Sequence, residues 1–248
     1  SVPAPAGNLY RRRWFRPAAA AAVLIAAAGA YALWPASVLE RFWSPALRDP
    51  AEVVILAPHP IVYTFTRETF RRFRGNAPSH AQRQIELLHG PPDAAIKLSE
   101  VVPIQDQYVG LGSARAISSV SALLAVRNKP YTIRFGGDFS FQDIRHAPSV
   151  LIGAYANRWT LQLTDDFRFA LGDKEGVPEI TDRRTGKSWP LRQLQTNGKT
   201  PEDYVIVSRL FHPKTGKLLF ALAGITQYGT QAAGEFVTDP ALLDAALK

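Results

Sequence analysis

The chain has 248 residues, 46% of them hydrophobic and 20% charged, proportions ordinary for a globular protein, so disorder is not the default, and the length suits one large domain or two small lobes. It has no cysteine, which excludes disulfides, zinc thiolates and a cysteine nucleophile. The net charge is +8, but four of the 29 basic residues lie in residues 11–16, leaving 25 against 21 acidic ones, a surplus too mild to make nucleic acid an expected partner.

Residues 1–16 form a basic tail that ends in Arg11, Arg12, Arg13 and Arg16. Residues 17–39 then carry no charge at all. As a helix they rise about 34 Å, enough to cross a bilayer core, and the spacing predicts a single transmembrane helix here. Arginines precede it, whereas Glu40, Arg41, Arg48 and Asp49 balance after it. That asymmetry predicts a cytoplasmic tail at a bacterial inner membrane and a globular domain on the periplasmic face. Trp14 on one side, with Tyr31 and Trp34 on the other, are the expected interfacial anchors beside the four arginines.

The same stretch has the basic, apolar and Ala-x-Ala order of a cleaved secretory signal. The uncharged run continues to Leu39, past both Ala-x-Ala sites, which favours an anchor. Ala22, Ala26 and Ala30 recur at a spacing of four with Gly29 beside them, a small-residue surface suited to packing against other membrane helices.

Residues 40–50 are read as a linker, with Phe42 and Trp43 on the membrane surface or against the domain. Residues 51–248 are read as one α/β domain. Val53 to Ala57 is an apolar run stopped by Pro58 and Pro60, the pattern of a buried strand. Residues 61–65 are extended, residues 67–74 with their four arginines read as a solvated helix face or loop, the alternative being a basic amphipathic segment near anionic headgroups, and residues 79–89 form a helix ended by Gly90-Pro91-Pro92.

From residue 107 the order is strand (107–111), Gly-containing turn, helix (114–127, capped by Ser113), strand (131–135), short capped helix from Ser140, strand (150–155), and a helix capped by Asn157. Such alternation predicts a parallel sheet with right-handed crossovers. Three short antiparallel pieces follow, then a hairpin across His212-Pro-Lys-Thr-Gly216, and a final helix at 231–236.

Little here carries chemistry. The turn Gly110-Leu-Gly112-Ser113 between strand and helix is the best anion cradle, but Arg115 stands where a dinucleotide fingerprint needs its third glycine. Asp138 follows the next strand, near where a ribose-binding acid would sit. With Asn157 these make the candidate ligand set: Gly110, Gly112, Ser113, Asp138 and Asn157, for a small anionic ligand. The five histidines have no metal spacing and read as surface or loop residues, so no metal, cofactor or catalytic residue is expected.

Val109-Gly-x-Gly112, Phe141-x-Asp143-Ile-Arg145, Pro148-x-Val150-Leu-Ile-Gly153, Asn157-x-Trp159-Thr160 and Asp203-Tyr204-x-Ile-Val-Ser208-Arg209 resemble one family. So does Ala223-Gly-Ile-Thr-Gln-Tyr-Gly229-Thr. The family is the extracytoplasmic domain of bacterial single-pass membrane proteins related to ToxR-like winged-helix regulators. The resemblance covers about half the chain. Ser113 departs from the Asp expected after Val-Gly-x-Gly, and sixteen residues before the apolar run are too few for a winged helix. If Ser1 is the true start, the resemblance implies fold and placement, not DNA reading.

The expectation is a membrane-anchored, three-layer domain with a partly parallel sheet, Rossmann-like or like a periplasmic-binding-protein lobe. Its expected role is a non-enzymatic accessory or assembly subunit, with integral membrane subunits and the bilayer as partners. A periplasmic sensor or solute-binding domain is the alternative, and a nucleotide-binding enzyme comes third.

Overall fold

The computed structural model describes residues 37–73, 93–104, 107–135 and 140–247. Residues 17–36 of the expected membrane helix, with Ala22, Ala26, Gly29, Ala30 and all the interfacial anchors, lie outside the described residues, as do Asp138 and the helix expected at 79–89. Among the described residues no helix is long and apolar enough to cross a membrane.

The first described element corrects the linker. Most of residues 40–50 are helical: a helix, α1, runs over Val38–Arg48. Ser37 starts it, its Oγ accepting from the Glu40 N–H at 3.1 Å while the Glu40 carboxylate accepts from the Ser37 N–H at 3.0 Å. This reciprocal pair satisfies two of the donors that a helix start leaves open. Trp43 and Ala46 are buried on its inner face. Pro45 lies inside the helix and has no N–H to give to the preceding turn. Arg209 answers this from a neighbouring strand, its Nε donating to the Phe42 carbonyl at 2.7 Å and its Nη2 to the Arg41 carbonyl at 3.5 Å.

Strands β1 (Val53–Leu56) and β2 (Val62–Phe65) follow, then helix α2 (Arg67–Phe73) and strand β3 (Val101–Ile104). β2 and β3 pair antiparallel as a separate ribbon. Helix α3 (Leu111–Val126) leads into β4 (Tyr131–Arg134), short helix α4 (Phe141–Arg145), β5 (Ser149–Ile152) and α5 (Arg158–Thr164). Strands β6 (Phe169–Lys174), β7 (Val177–Asp182) and β8 (Ser188–Pro190) form an antiparallel three-stranded sheet. The hairpin β9 (Val205–Phe211) and β10 (Leu218–Gly224) precedes α6 (Gln227–Thr238) and α7 (Pro240–Ala246).

The main sheet has the order β4-β1-β5-β10-β9. Its first four strands run parallel and β9 is antiparallel at the edge. Central strands covered on both faces must be apolar throughout, and β1, β5 and β10 are buried at every position. Because side chains alternate, each strand feeds two cores. Val53, Ile55, Val150, Ile152, Phe220 and Leu222 meet α1, α3 and α6 on one face. Val54, Leu56, Leu151 and Leu219 meet Ile144 of α4 and Trp159 and Leu163 of α5 on the other. The chain is thus a mixed α/β fold with a partly parallel sheet between helices.

Several boundaries differ from the sequence reading. The stretch 107–111 is not a strand, and α3 starts three residues earlier than expected, so Ser113 is inside the helix and Gly110 is its N-cap. The last helix is longer than 231–236 and a further one, α7, follows it, with Asp239 as N-cap and Pro240 in the first turn. His212, expected on the surface or in a loop, lies in the loop between β9 and β10 but is buried. It is 1% exposed, its Nδ1 accepts from the Lys214 N–H at 3.3 Å, and its Nε2 therefore donates to the Leu163 carbonyl at 3.1 Å.

Candidate functional site

In an open sheet whose strand order reverses, the crevice beyond the carboxyl ends of the strands is where ligands bind. Here the reversal falls at β1, which has β4 on one side and β5 on the other. The carboxyl ends of β1 and β5 meet the start of α3 at this point. Gly153 has φ +90°, and a Cβ there would lie 3.2 Å from Pro58 Cβ and 3.8 Å from Ser113 Oγ. Such a φ suits glycine, and the left-handed turn directs the chain away from the sheet.

Asn157 holds the two strand ends together. Its side-chain nitrogen donates to Leu56 O of β1 at 3.0 Å and to Ile152 O of β5 at 2.9 Å. Its side-chain oxygen accepts from the Trp159 N–H at 3.1 Å and so caps α5. It is 3% exposed, and both its amide hydrogens are engaged within the fold. Beyond Gly153, the Tyr155 hydroxyl donates to Gly172 O at 2.6 Å and ties the three-stranded sheet to this end of the molecule. Burial is the first cause raising the Tyr155 phenol above its ordinary value, with Asp173 adding to it.

The glycines of the α3 turn do different work. A Cβ on Gly112 would come within 1.8 Å of the Gln227 carbonyl oxygen, so this residue lets α3 and the start of α6 meet backbone to backbone. Gly234 does the same further along, where a Cβ would lie 2.6 Å from Ala116 Cα. Gly110 caps α3 without any side-chain bond. Ser113 is buried, 8% exposed, and its hydroxyl has no hydrogen-bond partner among the described residues. At this crevice the structure therefore brings together Gly110, Gly112, Ser113 and Asn157, of which Ser113 retains an unengaged polar group.

The neighbouring helix start is already filled. Asp203 Oδ2 accepts from the Gly229 N–H at 2.6 Å and the Thr226 hydroxyl at 2.5 Å, and the Thr226 N–H adds 3.2 Å contacts to both carboxylate oxygens. A carboxylate at the positive end of α6 is favourable both as a cap and against the helix dipole. The pattern Thr226-x-x-Gly229 after a buried strand shows a helix start, but nothing local in the sequence marks Asp203, 23 residues upstream, as its anion. Of the two places expected for Trp43, the membrane surface or the domain, the structure shows the domain, but its partner, Val237 O at 2.7 Å, is 194 residues away and is not marked locally.

The three-stranded sheet has its own electrostatic lock. Arg168 grips Asp182 with two bonds of 2.9 and 2.7 Å, and Asp182 also accepts from the Arg184 N–H and the Thr185 hydroxyl, each at 3.0 Å. The Arg168 guanidinium holds the Asp182 carboxyl well below the usual carboxylate range. Among the described residues no group of three His, Asp or Glu side chains is arranged to hold a metal ion.

Comparison with protein-family models, with curated proteins and with solved structures finds no match to this chain.

Proposed function

We propose that the chain is a non-enzymatic, membrane-anchored accessory or assembly subunit whose Rossmann-like domain is held rigidly against the periplasmic face of a bacterial inner membrane. Its partners are integral membrane subunits and the bilayer. The observation that carries this reading is the docking of α1. Trp43 is fully buried, stacks on Phe220 at 4.4 Å between ring centroids and donates its indole N–H to Val237 O. No flexible linker separates Ser37 from the domain.

The start of α1 lies beside the end of α3, where Glu40 and Arg127 pair at 2.6 Å, and its end lies beside the start of β10, where Asp49 and Lys217 pair at 2.8 Å. Both contacts belong to the amino-terminal edge of the parallel strands. An apolar helix entering at Ser37 would set that edge toward the bilayer. The sixteen residues of α3 would then carry the opposite crevice about 24 Å outward. Extraction of the full chain in mild detergent is expected to bring down fixed membrane partners. A monodisperse monomer would sink the proposal.

One observation favours a second reading, a periplasmic sensor or solute-binding domain. The unengaged Ser113 hydroxyl and the start of α3, which has no side-chain cap, sit together at the strand-order reversal, where backbone N–H groups suit a small anion. A thermal-shift screen of the full chain with anionic metabolites tests it. Absence of stabilisation by any class removes it.

A further inference from the structure

We infer that β9 is a docking edge for an extended, acidic segment of a partner protein, which adds to the main sheet as a sixth strand. This surface is distinct from the crevice at Ser113.

The argument starts from hydrogen-bond parity. In an antiparallel pair, successive residues alternate between bonding the neighbour and pointing outward. The Ile225 N–H donates to Tyr204 O at 2.9 Å and the His212 N–H to Lys217 O at 2.9 Å, so the even-numbered residues between them face β10. Val205, Val207, Arg209 and Phe211 therefore turn their backbone N–H and C=O groups away from the sheet. No described residue hydrogen-bonds those groups. An open edge of this kind is a template for one more strand.

The edge does not face open solvent alone. A groove of about 320 Å³ runs along it, lined by Val205, Ile206 and Val207 on one side and by Phe169, Ile180 and Trp189 on the other. Three consecutive residues of one strand line it, so the backbone edge itself forms the wall. Phe169 is 38% exposed and Val205 36%, which leaves apolar surface for alternate side chains of an added strand.

Charge selects the occupant. Between residues 183 and 200 the chain carries Arg183, Arg184, Lys187, Arg192 and Lys199 and no acid. Lys187 Nζ lies 4.9 Å over the Trp189 ring, and Arg192 is close enough to Tyr204 to act on its phenol. Neither has a carboxylate partner among the described residues. Of the two acids nearest in sequence to β9, Asp203 is committed to the start of α6 and Glu202 accepts from the Tyr204 hydroxyl at 3.2 Å. A strand with glutamate or aspartate at its solvent-facing positions and small apolar residues at its inward ones meets these cations and this groove together.

The test uses the full chain in detergent and a capped peptide of alternating glutamate and valine about nine residues long, enough to span β9. The expected result is saturable binding with new amide-exchange protection over Val205–Phe211. Binding should weaken about tenfold or more for the lysine–valine counterpart, for Trp189→Ala and for Val207→Pro. The proline removes one outward N–H and leaves the ladder to β10 intact, so the edge is tested without unfolding the sheet. Lack of binding, equal binding of both peptides, or binding kept by both variants overturns the inference. Protection of β9 that grows with protein concentration in the absence of peptide also overturns it, assigning the edge to a second copy. Co-purification of membrane partners is scored separately, so that reading survives or fails independently.

Discussion

Replacing Trp43 tests whether α1 belongs to the domain core or merely lies on it. The indole is fully buried, stacks on Phe220 and satisfies the Val237 carbonyl at 2.7 Å. Trp43→Phe keeps most of the ring but leaves that carbonyl buried without a donor, which costs about 1–3 kcal/mol. Trp43→Ala also removes the ring and opens a cavity between α1, α6 and β10, for a total of about 3–5 kcal/mol. Domain stabilities are about 5–15 kcal/mol, so the alanine variant should lose a large share of the whole. Urea denaturation of the full chain in detergent, followed by circular dichroism, measures both losses. Amide exchange adds where they fall: α1 should lose protection first, while β1, β5 and β10 keep theirs until global unfolding. A loss below about 1 kcal/mol for Trp43→Ala, with α1 still protected, would refute the reasoning, because a surface residue behaves that way.

Gly112→Ala should destabilise by about 1–3 kcal/mol or more, since its Cβ meets the Gln227 backbone and no side chain can yield, whereas Gly172→Ala, with nothing within 4 Å, should be close to neutral; thermal melts compare them. Asn157→Ala removes two bonds from buried strand ends and the cap of α5, for a loss of about 2–4 kcal/mol in the same urea assay; a neutral outcome would mean the strand ends are not held there. Asp182 has a folded-state pKa below its unfolded value of about 3.9, so its contribution is fully present above that pH and disappears as the pH falls through the folded value. The stability gap between the native chain and Asp182→Asn should therefore be constant from about pH 7 to 5 and narrow progressively as the pH falls below about 4. A gap unchanged at about pH 2.5 would mean that Arg168 does not depress the carboxyl in solution.

The elements that could be read in advance were those whose environment is written locally. β1, β5 and β10 are unbroken apolar runs because they are covered on both faces, and the β9–β10 turn declares itself through Pro213 and Gly216. The helix α1 was hidden twice over. Its N-cap Ser37 was absorbed into the uncharged run, and Pro45 reads as a helix breaker unless one knows that Arg209 covers the carbonyls it leaves free. The start of α3 was misplaced because Gly110 and Gly112 look alike on paper, whereas one caps a helix and the other accommodates the backbone of α6. The candidate crevice was found from the alternation of strands and helices. The engagement of Asn157 was not, because its two acceptors come from strands 101 and 5 residues away. The open edge of β9 depends on the register of a hairpin, which no residue type records.

The docking of α1 also determines how the domain answers to mechanical load. Tension applied at Ser37 reaches β1 only after α1 has been sheared from its bed, and that bed is made of the Trp43–Val237 bond, the Arg209 clamp and the Asp49–Lys217 pair. These attachments lie along the helix and its C-cap Asp49 and resist together, not one after another as the teeth of a zipper do. Torque is carried in the same way, because contacts on α6, β9 and β10 surround the helix on more than one side. A rotation imposed at Ser37 would turn the sheet as a whole, and the far crevice would sweep through an arc with a radius set by its distance from the rotation axis.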